Sequence, residues 1–421
     1  MPIDEFMDTS PKARLSQGSL WVLSFSQLPI MFVYANYPTA IPILKAEWSL
    51  TNADAGVIYF AFYVGYVVAS AVLTGATDYF SARTIYLFSA AWLGFTNLMF
   101  PFFAEGLWTA ALLRCACGVG LAGVFGPGLR IVAEHATPAL RAKTVSGYAF
   151  FFTFSVSVSM FLTGYLLPDF GWRFTFAAGS LGPVIGILMV LVWVPDPGRE
   201  ESGSGEKFAF PRLPLRCWVL IGSYVMHRWE MFAFRGWGVT FLASAFVAHG
   251  LPRGNAVDNA ATALAFMIAI SAFSNFIGAW SADRFGRLRS IGGSLLLSGA
   301  MTYGIGYLFH APVPVLLVVA LVWAVTMAVD ASVFLVVMSE IAPRRHLGTA
   351  LGCLAGFGFL FGALSSIEVG YILDITNPGS RGEALPREWT AAWASVGVAV
   401  WIGLGGIVWL SRIMKRRAQD A

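Results

Sequence analysis

Within an apolar stretch from 215 to 245, four ionisable side chains fall inside nine positions: His227, Arg228, Glu230 and Arg235 of HRWEMFAFR. Their chemistry is specific. A guanidinium offers a planar fork to a carboxylate, and an imidazole exchanges a proton near neutral pH. On a helix that begins near 215 they lie about 18 to 30 Å along the axis. At 100° per residue Arg228 and Arg235 fall about 20° apart, with His227 and Glu230 flanking that face, so one surface is expected to carry all four. Charges at such depth in an apolar helix are costly unless they meet a partner or a wet cavity. The pattern therefore points to a ligand or proton path, with a self-neutralised network of Glu230 and the two arginines as the alternative.

The elements that must position these groups follow from composition. The 421 residues are 57% hydrophobic and only 12% charged, with a mean hydropathy of +0.70. Apolar runs repeatedly exceed the ~18 residues that span a bilayer, and they lack the period-two alternation of barrel strands. The chain reads as an all-α membrane protein of twelve transmembrane helices: 18–44, 53–77, 84–104, 107–133, 144–167, 173–194, 215–245, 261–281, 289–309, 313–340, 347–374 and 388–412. Although the net charge is +4, the basic residues sit in short clusters between apolar runs, which reads as topology rather than nucleic-acid binding. Alternate loops collect them, from Lys12 and Arg14 through Arg141, Lys143, Arg212 and Arg344 to Lys415, Arg416 and Arg417. The intervening loops keep Lys45, Arg173, Arg253, Arg381 and Arg387. Both termini are thus expected in the cytoplasm, with the chain in the plasma (inner) membrane. Cys115, Cys117, Cys217 and Cys353 form no CxxC pair, so neither a disulfide framework nor a zinc site is indicated.

One long polar linker, 195–214, separates an expected six-helix bundle at 1–194 from another at 215–421. The halves echo each other at a spacing of 205: Asp78 with Asp283, Pro138 with Pro343, Gly147 with Gly352, and Asp169 with Asp374. A duplicated unit explains this. At the end of helix 8 the chain reads GAWSADRFGRLRS, 278–290. Its Asp283, Arg284, Gly286 and Arg287 resemble the loop signature of the major facilitator superfamily, of which only Asp78 and Arg83 survive in the first half. RCACGVG at 114–120 and GWRFTF at 171–176 are similar to two further signatures of that family.

The resemblance implies two pseudo-symmetric six-helix bundles and a set of residue roles. Asp283, Arg284 and Arg287 with Glu340, and Asp78 and Arg83 with Glu134, would latch the inner face and release on switching. Arg130 and Glu134 stand i and i+4, which equally suits a local ion pair. Arg114 would serve gating or coupling, or else pack helix 4 against helix 1. Helices 1, 4, 7 and 10 line the central cavity of the family, so Tyr34, Asn36 and Tyr37 would join Arg228, Arg235 and Trp237 around substrate. Asp330, alone in an apolar helix, and Glu368 join His227 and Glu230 as candidates for proton coupling; Asp330 could instead be a structural partner for arginine.

The reading is a secondary active transporter of a small polar solute, with the arginines favouring an organic anion such as a carboxylate and coupling to protons. Helix 5 lacks the Gly-Pro element of the family's drug–proton antiporters, which leaves export of amphipathic or cationic compounds as the alternative. No HExxH, GxSxG, Walker or His-box spacing supports a membrane-embedded enzyme or receptor. The expected partners are a small-molecule substrate, protons and the lipid bilayer, with no nucleic acid, no cofactor and a monomer as the working unit.

Overall fold

The computed structural model describes residues 15–77, 79–196, 198, 213–379 and 381–419, so Asp78 and most of the expected linker lie outside the described residues. Among the described residues all regular structure is helical, and ten helices are long and apolar enough to cross a membrane. The first four are α1 (Gln17–Glu47), α2 (Asn52–Ala76), α3 (Ala82–Phe103) and α4 (Leu107–His135). The fifth, Lys143–Trp193, runs for 51 residues. It breaks at Gly171, whose φ of 73° no right-handed helix continues through, giving α5 (141–170) and α6 (172–193). After the linker come α7 (Leu215–Ala248) and α8 (Arg253–Phe285). Next is α9 (Arg287–Ile305), which opens on two arginines and falls outside the ten. The last are α10 (Val313–Ile341), α11 (Leu347–Thr376) and α12 (Thr390–Gln419). Counted as rods, these elements are consistent with twelve passes. The start of α8 differs from the sequence reading by eight residues: Pro252 precedes it, and the polar run from Arg253 to Asn259 forms its first turns instead of a loop.

Local sequence sets the ends. Thr51 and Asp54 close a capping box on α2, and Ser81 accepts from the Thr84 N–H at the start of α3. Several helices are interrupted near mid-depth. In α1 the interruption covers Met31 to Ala35, and the Ala35 N–H is satisfied by Ser159 Oγ at 3.0 Å. α10 breaks at Val329–Asp330 and α11 at Leu364. Such discontinuities free backbone groups, which membrane helices tolerate only where protein or a wet cavity satisfies them.

The first six helices meet the last six asymmetrically. At the end of the bundle opposite Gln17 and Gln419, Asp374 of α11 accepts from Asn52 N (2.8 Å), Asn52 Nδ2 (2.8 Å) and Ala53 N (2.9 Å) in the first turn of α2. Buried Lys45 donates to Asn52 Oδ1 from behind, at 2.5 Å. Ser366 Oγ donates to Gly56 O, and the Gly382 N–H to Leu50 O. Backbones touch here, since a Cβ on Gly56 would lie 2.2 Å from Ser366 O and one on Gly370 2.3 Å from Asn52 O. Near mid-depth, Ser157 of α5 donates to Ala265 O of α8. Among the described residues no hydrogen bond joins the two groups of helices at the opposite, arginine-rich end. The cores agree: one apolar cluster holds Leu44 and Ile58 together with Phe241 and Trp389, whereas another, with Leu220, Met338 and Leu354, lies wholly within the last six helices.

Candidate functional site

The ionisable groups of α7 do not share one surface as their spacing suggests. His227 and Glu230 stand about 60° apart on the helical wheel and turn toward α9 and α10, while Arg228 and Arg235 point elsewhere. Glu230 is fully buried. It accepts from Ser298 Oγ (3.0 Å), Trp323 Nε1 (2.8 Å) and Thr302 Oγ1, so neutral donors, not the arginines, satisfy its carboxylate. His227 Nδ1 lies 3.2 Å from Asp330 Oδ1, both residues being inaccessible, and the imidazole also faces Tyr224 and Phe334. Asp330 stands where α10 breaks. Glu368 accepts from Trp229 Nε1 at 2.6 Å.

The arginines have a different environment. Arg228 donates from Nε to Tyr224 Oη at 2.7 Å, again from Nη2 to the same oxygen, and from Nη1 to Met231 Sδ, which leaves two of its five N–H groups free. Its guanidinium lies 4.8 Å from the Tyr224 ring centroid and 5.0 Å from that of Phe359 on α11. Arg235 is half-buried and, among the described residues, has no hydrogen bond or ion pair. Arg114 is 2% exposed, with its guanidinium 4.4 Å over Phe62 and 5.7 Å from Tyr37, and its Nε and Nη1 meet no acceptor. Among the described residues, three guanidiniums at membrane depth therefore lack a carboxylate, while Glu230 of α7 and Glu368 of α11 are held by neutral donors and Asp330 of α10 faces His227.

Tyrosines fill the space between. Tyr34 Oη and Tyr63 Oη are 2.8 Å apart, Tyr59 Oη is 3.1 Å from Tyr63 Oη, and Tyr37 donates to Ala55 O. Tyr59 reaches α7, where a Cβ on Gly236, next to Arg235, would lie 3.2 Å from its ring. Asn36 accepts from Thr163 and packs against Gly179 of α6, so its amide turns away from the centre. Trp237, expected against substrate, is fully buried; its Nε1 donates to Ser366 O within the closed seam and its ring packs on Trp389.

The expected latch residues are only partly engaged. Glu340 pairs with Arg287, not with Asp283, and Asp283 and Arg284 are exposed. Glu134 pairs with Arg130 at 2.7 Å, and Arg130 also donates to Thr77. Arg83 donates to Val190 O and Leu191 O at the end of α6. Sequence reasoning missed the donors around Glu230 and the Lys45–Asn52–Asp374 contact. Ser298 and Thr302, one helical turn apart on α9, carry the only signal that could have revealed the former.

Residues 23–253 match the sequence model of the Major Facilitator Superfamily. The chain belongs to that superfamily. It is 26% identical over 377 residues to the chloroplastic ascorbate transporter of Arabidopsis thaliana, covering 80% of this chain and 66% of that one. It is 21% identical over 300 residues to the 4-hydroxybenzoate transporter PcaK of Pseudomonas putida, covering 63% of this chain and 66% of that one. The matches thus span just under two thirds of these relatives' own length. The fold is similar to that of a bacterial homologue of the human lysosomal transporter Spinster, with a TM-score of 0.76 and 15% identity over 93% of this chain and 96% of that one. The protein is accordingly an all-helical, multi-pass integral membrane protein of the major facilitator fold.

Proposed function

We propose that this protein is a secondary transporter that carries a small organic anion by alternating access of two six-helix halves, 1–194 and 215–421, joined by a cytoplasmic linker at 195–214. One observation carries the reading: Arg114, Arg228 and Arg235 stand in membrane-spanning helices without a carboxylate partner. A guanidinium in such surroundings is costly unless a counter-charge arrives. An anionic solute supplies it, and closing the halves around the solute strengthens the attraction. The relatives named for ascorbate and 4-hydroxybenzoate, both organic acids, support the same class. In this reading the arginine-rich end faces the cytoplasm and the seam around Asp374 is the closed outer gate, so the arrangement is inward-facing.

Coupling to protons rests on His227 and Asp330. They face each other at 3.2 Å across α7 and α10, beside the break in α10, so a proton held between them neutralises Asp330 next to a flexible point of the helix. The test uses purified protein in liposomes. An inward proton gradient drives uptake above equilibrium in the unmodified protein. His227→Gln and Asp330→Asn abolish accumulation but keep exchange at equal concentrations, which needs no net proton movement. Anion uptake indifferent to the gradient removes the coupling; a substrate proved cationic removes the anion reading.

A further inference from the structure

The centre between the two groups of helices is walled by flat rings. Tyr66 of α2 and Phe359 of α11 stack across the divide at 5.0 Å with planes 28° apart. Phe152 of α5 lies 6.3 Å from Tyr34. Tyr66, Phe152 and Phe359 are each only half-buried, unlike the sealed Phe62, Tyr63 and Phe232 behind them. Above Phe359 sits the Arg228 guanidinium, fixed by Tyr224 and Met231 with two N–H groups still free.

Beyond the arginines, the Tyr66 hydroxyl is the main polar group that the same wall offers a hydroxylated chain. The hydroxyls of Tyr34, Tyr59 and Tyr63 are engaged with one another, and Asn36 is turned into α6. A polyhydroxy acid would therefore replace only part of the water contacts it loses, which is costly. A planar ring loses little on leaving water and gains stacking and edge contacts that a saturated ring of equal size does not.

Resting on the anion reading above, we propose that the site selects aromatic monocarboxylates: the carboxylate binds the free N–H groups of Arg228 and the unpartnered Arg235, and the ring lies against Tyr66, Phe152 and Phe359. Non-aromatic acids of equal charge and size are discriminated against because only a flat ring stacks on these ring faces.

The test is calorimetric binding to the full chain in nanodiscs at pH 8, with benzoate and cyclohexanecarboxylate, which match in charge and size but not in flatness. Benzoate binds up to roughly tenfold more tightly, the increment expected from stacking on these ring faces. Phe359→Leu, or Tyr66→Leu should the first variant fold poorly, brings the two affinities to within about twofold by weakening benzoate alone. Equal affinities in the unmodified protein overturn the aromatic preference and leave the anion reading standing. If neither carboxylate binds and no other organic anion does, both fall.

Discussion

Replacing Asp374 by alanine should open the seam between α2 and α11 without unfolding the protein. The carboxylate accepts three hydrogen bonds, two from backbone N–H groups of the first turn of α2 and one from the Asn52 amide. It thus caps a helix that belongs to the other half of the molecule, and the helix dipole adds to the attraction. Asp374 is half-buried, so each bond is discounted to about 1 kcal/mol net, or about 3 kcal/mol for the set. All three exist only while the seam is closed. Their loss therefore falls on the equilibrium between the two gate states of the proposed cycle and shifts it roughly a hundredfold toward the form open at the Asp374 end. Spin labels at Glu105 and Arg387, both exposed at this end on opposite halves, report the gap by pulsed electron resonance once the four cysteines are replaced. A single short distance in the parent becomes a mixture or a longer distance in Asp374→Ala, and Asp374→Asn, which keeps an acceptor but no charge, falls between. A distribution unchanged in a folded Asp374→Ala protein would refute the argument, because the cap would then contribute nothing to gate closure.

Three further outcomes follow from the same geometry. Gly370→Val should resemble Asp374→Ala by a steric route, since its Cβ would lie 2.3 Å from Asn52 O; a short label distance in that variant would mean that α2 and α11 can move apart locally without opening the gate. Glu230→Gln should change thermal stability by less than about 1 kcal/mol, because the amide oxygen can still accept from Thr302 and Trp323 while its NH2 donates to Ser298, whereas Glu230→Leu strands the Trp323 N–H and costs about 1–3 kcal/mol; thermal unfolding in detergent separates them. Asp283→Asn should leave expression and the label distance at the Asp374 end unchanged yet slow turnover, if this exposed carboxylate serves the latch proposed for it; normal transport rates would remove it from the gate.

The fold was legible because bilayer thickness and hydropathy leave little choice: long apolar runs must be helices, and a 205-residue echo between halves implies a repeat. The site was legible only in kind. Counting 100° per residue places all four groups of α7 on one surface, but that arithmetic could not say that Glu230 would find three neutral donors on α9 and α10, because those donors come from 68 to 93 residues away. It is those distant hydroxyls and the indole that release the arginines from the carboxylate. Asp374 makes the same point in a second way. Its equivalence to Asp169 was visible in the repeat, yet its partner, the start of α2, is 322 residues earlier.

That pairing has a consequence for how the halves communicate. Asn52 accepts from Lys45 of α1 while donating to Asp374, so a single side chain links the far end of α1 to α11. α1 also carries the break at Met31–Ala35, beside Tyr34 and the tyrosine cluster that approaches Arg235. In the proposed reading, an anion that draws Arg235 and that cluster together acts on the same helix that reaches the Asp374 cap. Tyr37 of α1 also donates to Ala55 O of α2, a second tie between the two helices near the cap. On that proposal, α1 is the element through which substrate binding at mid-depth and opening at the Asp374 end would be joined.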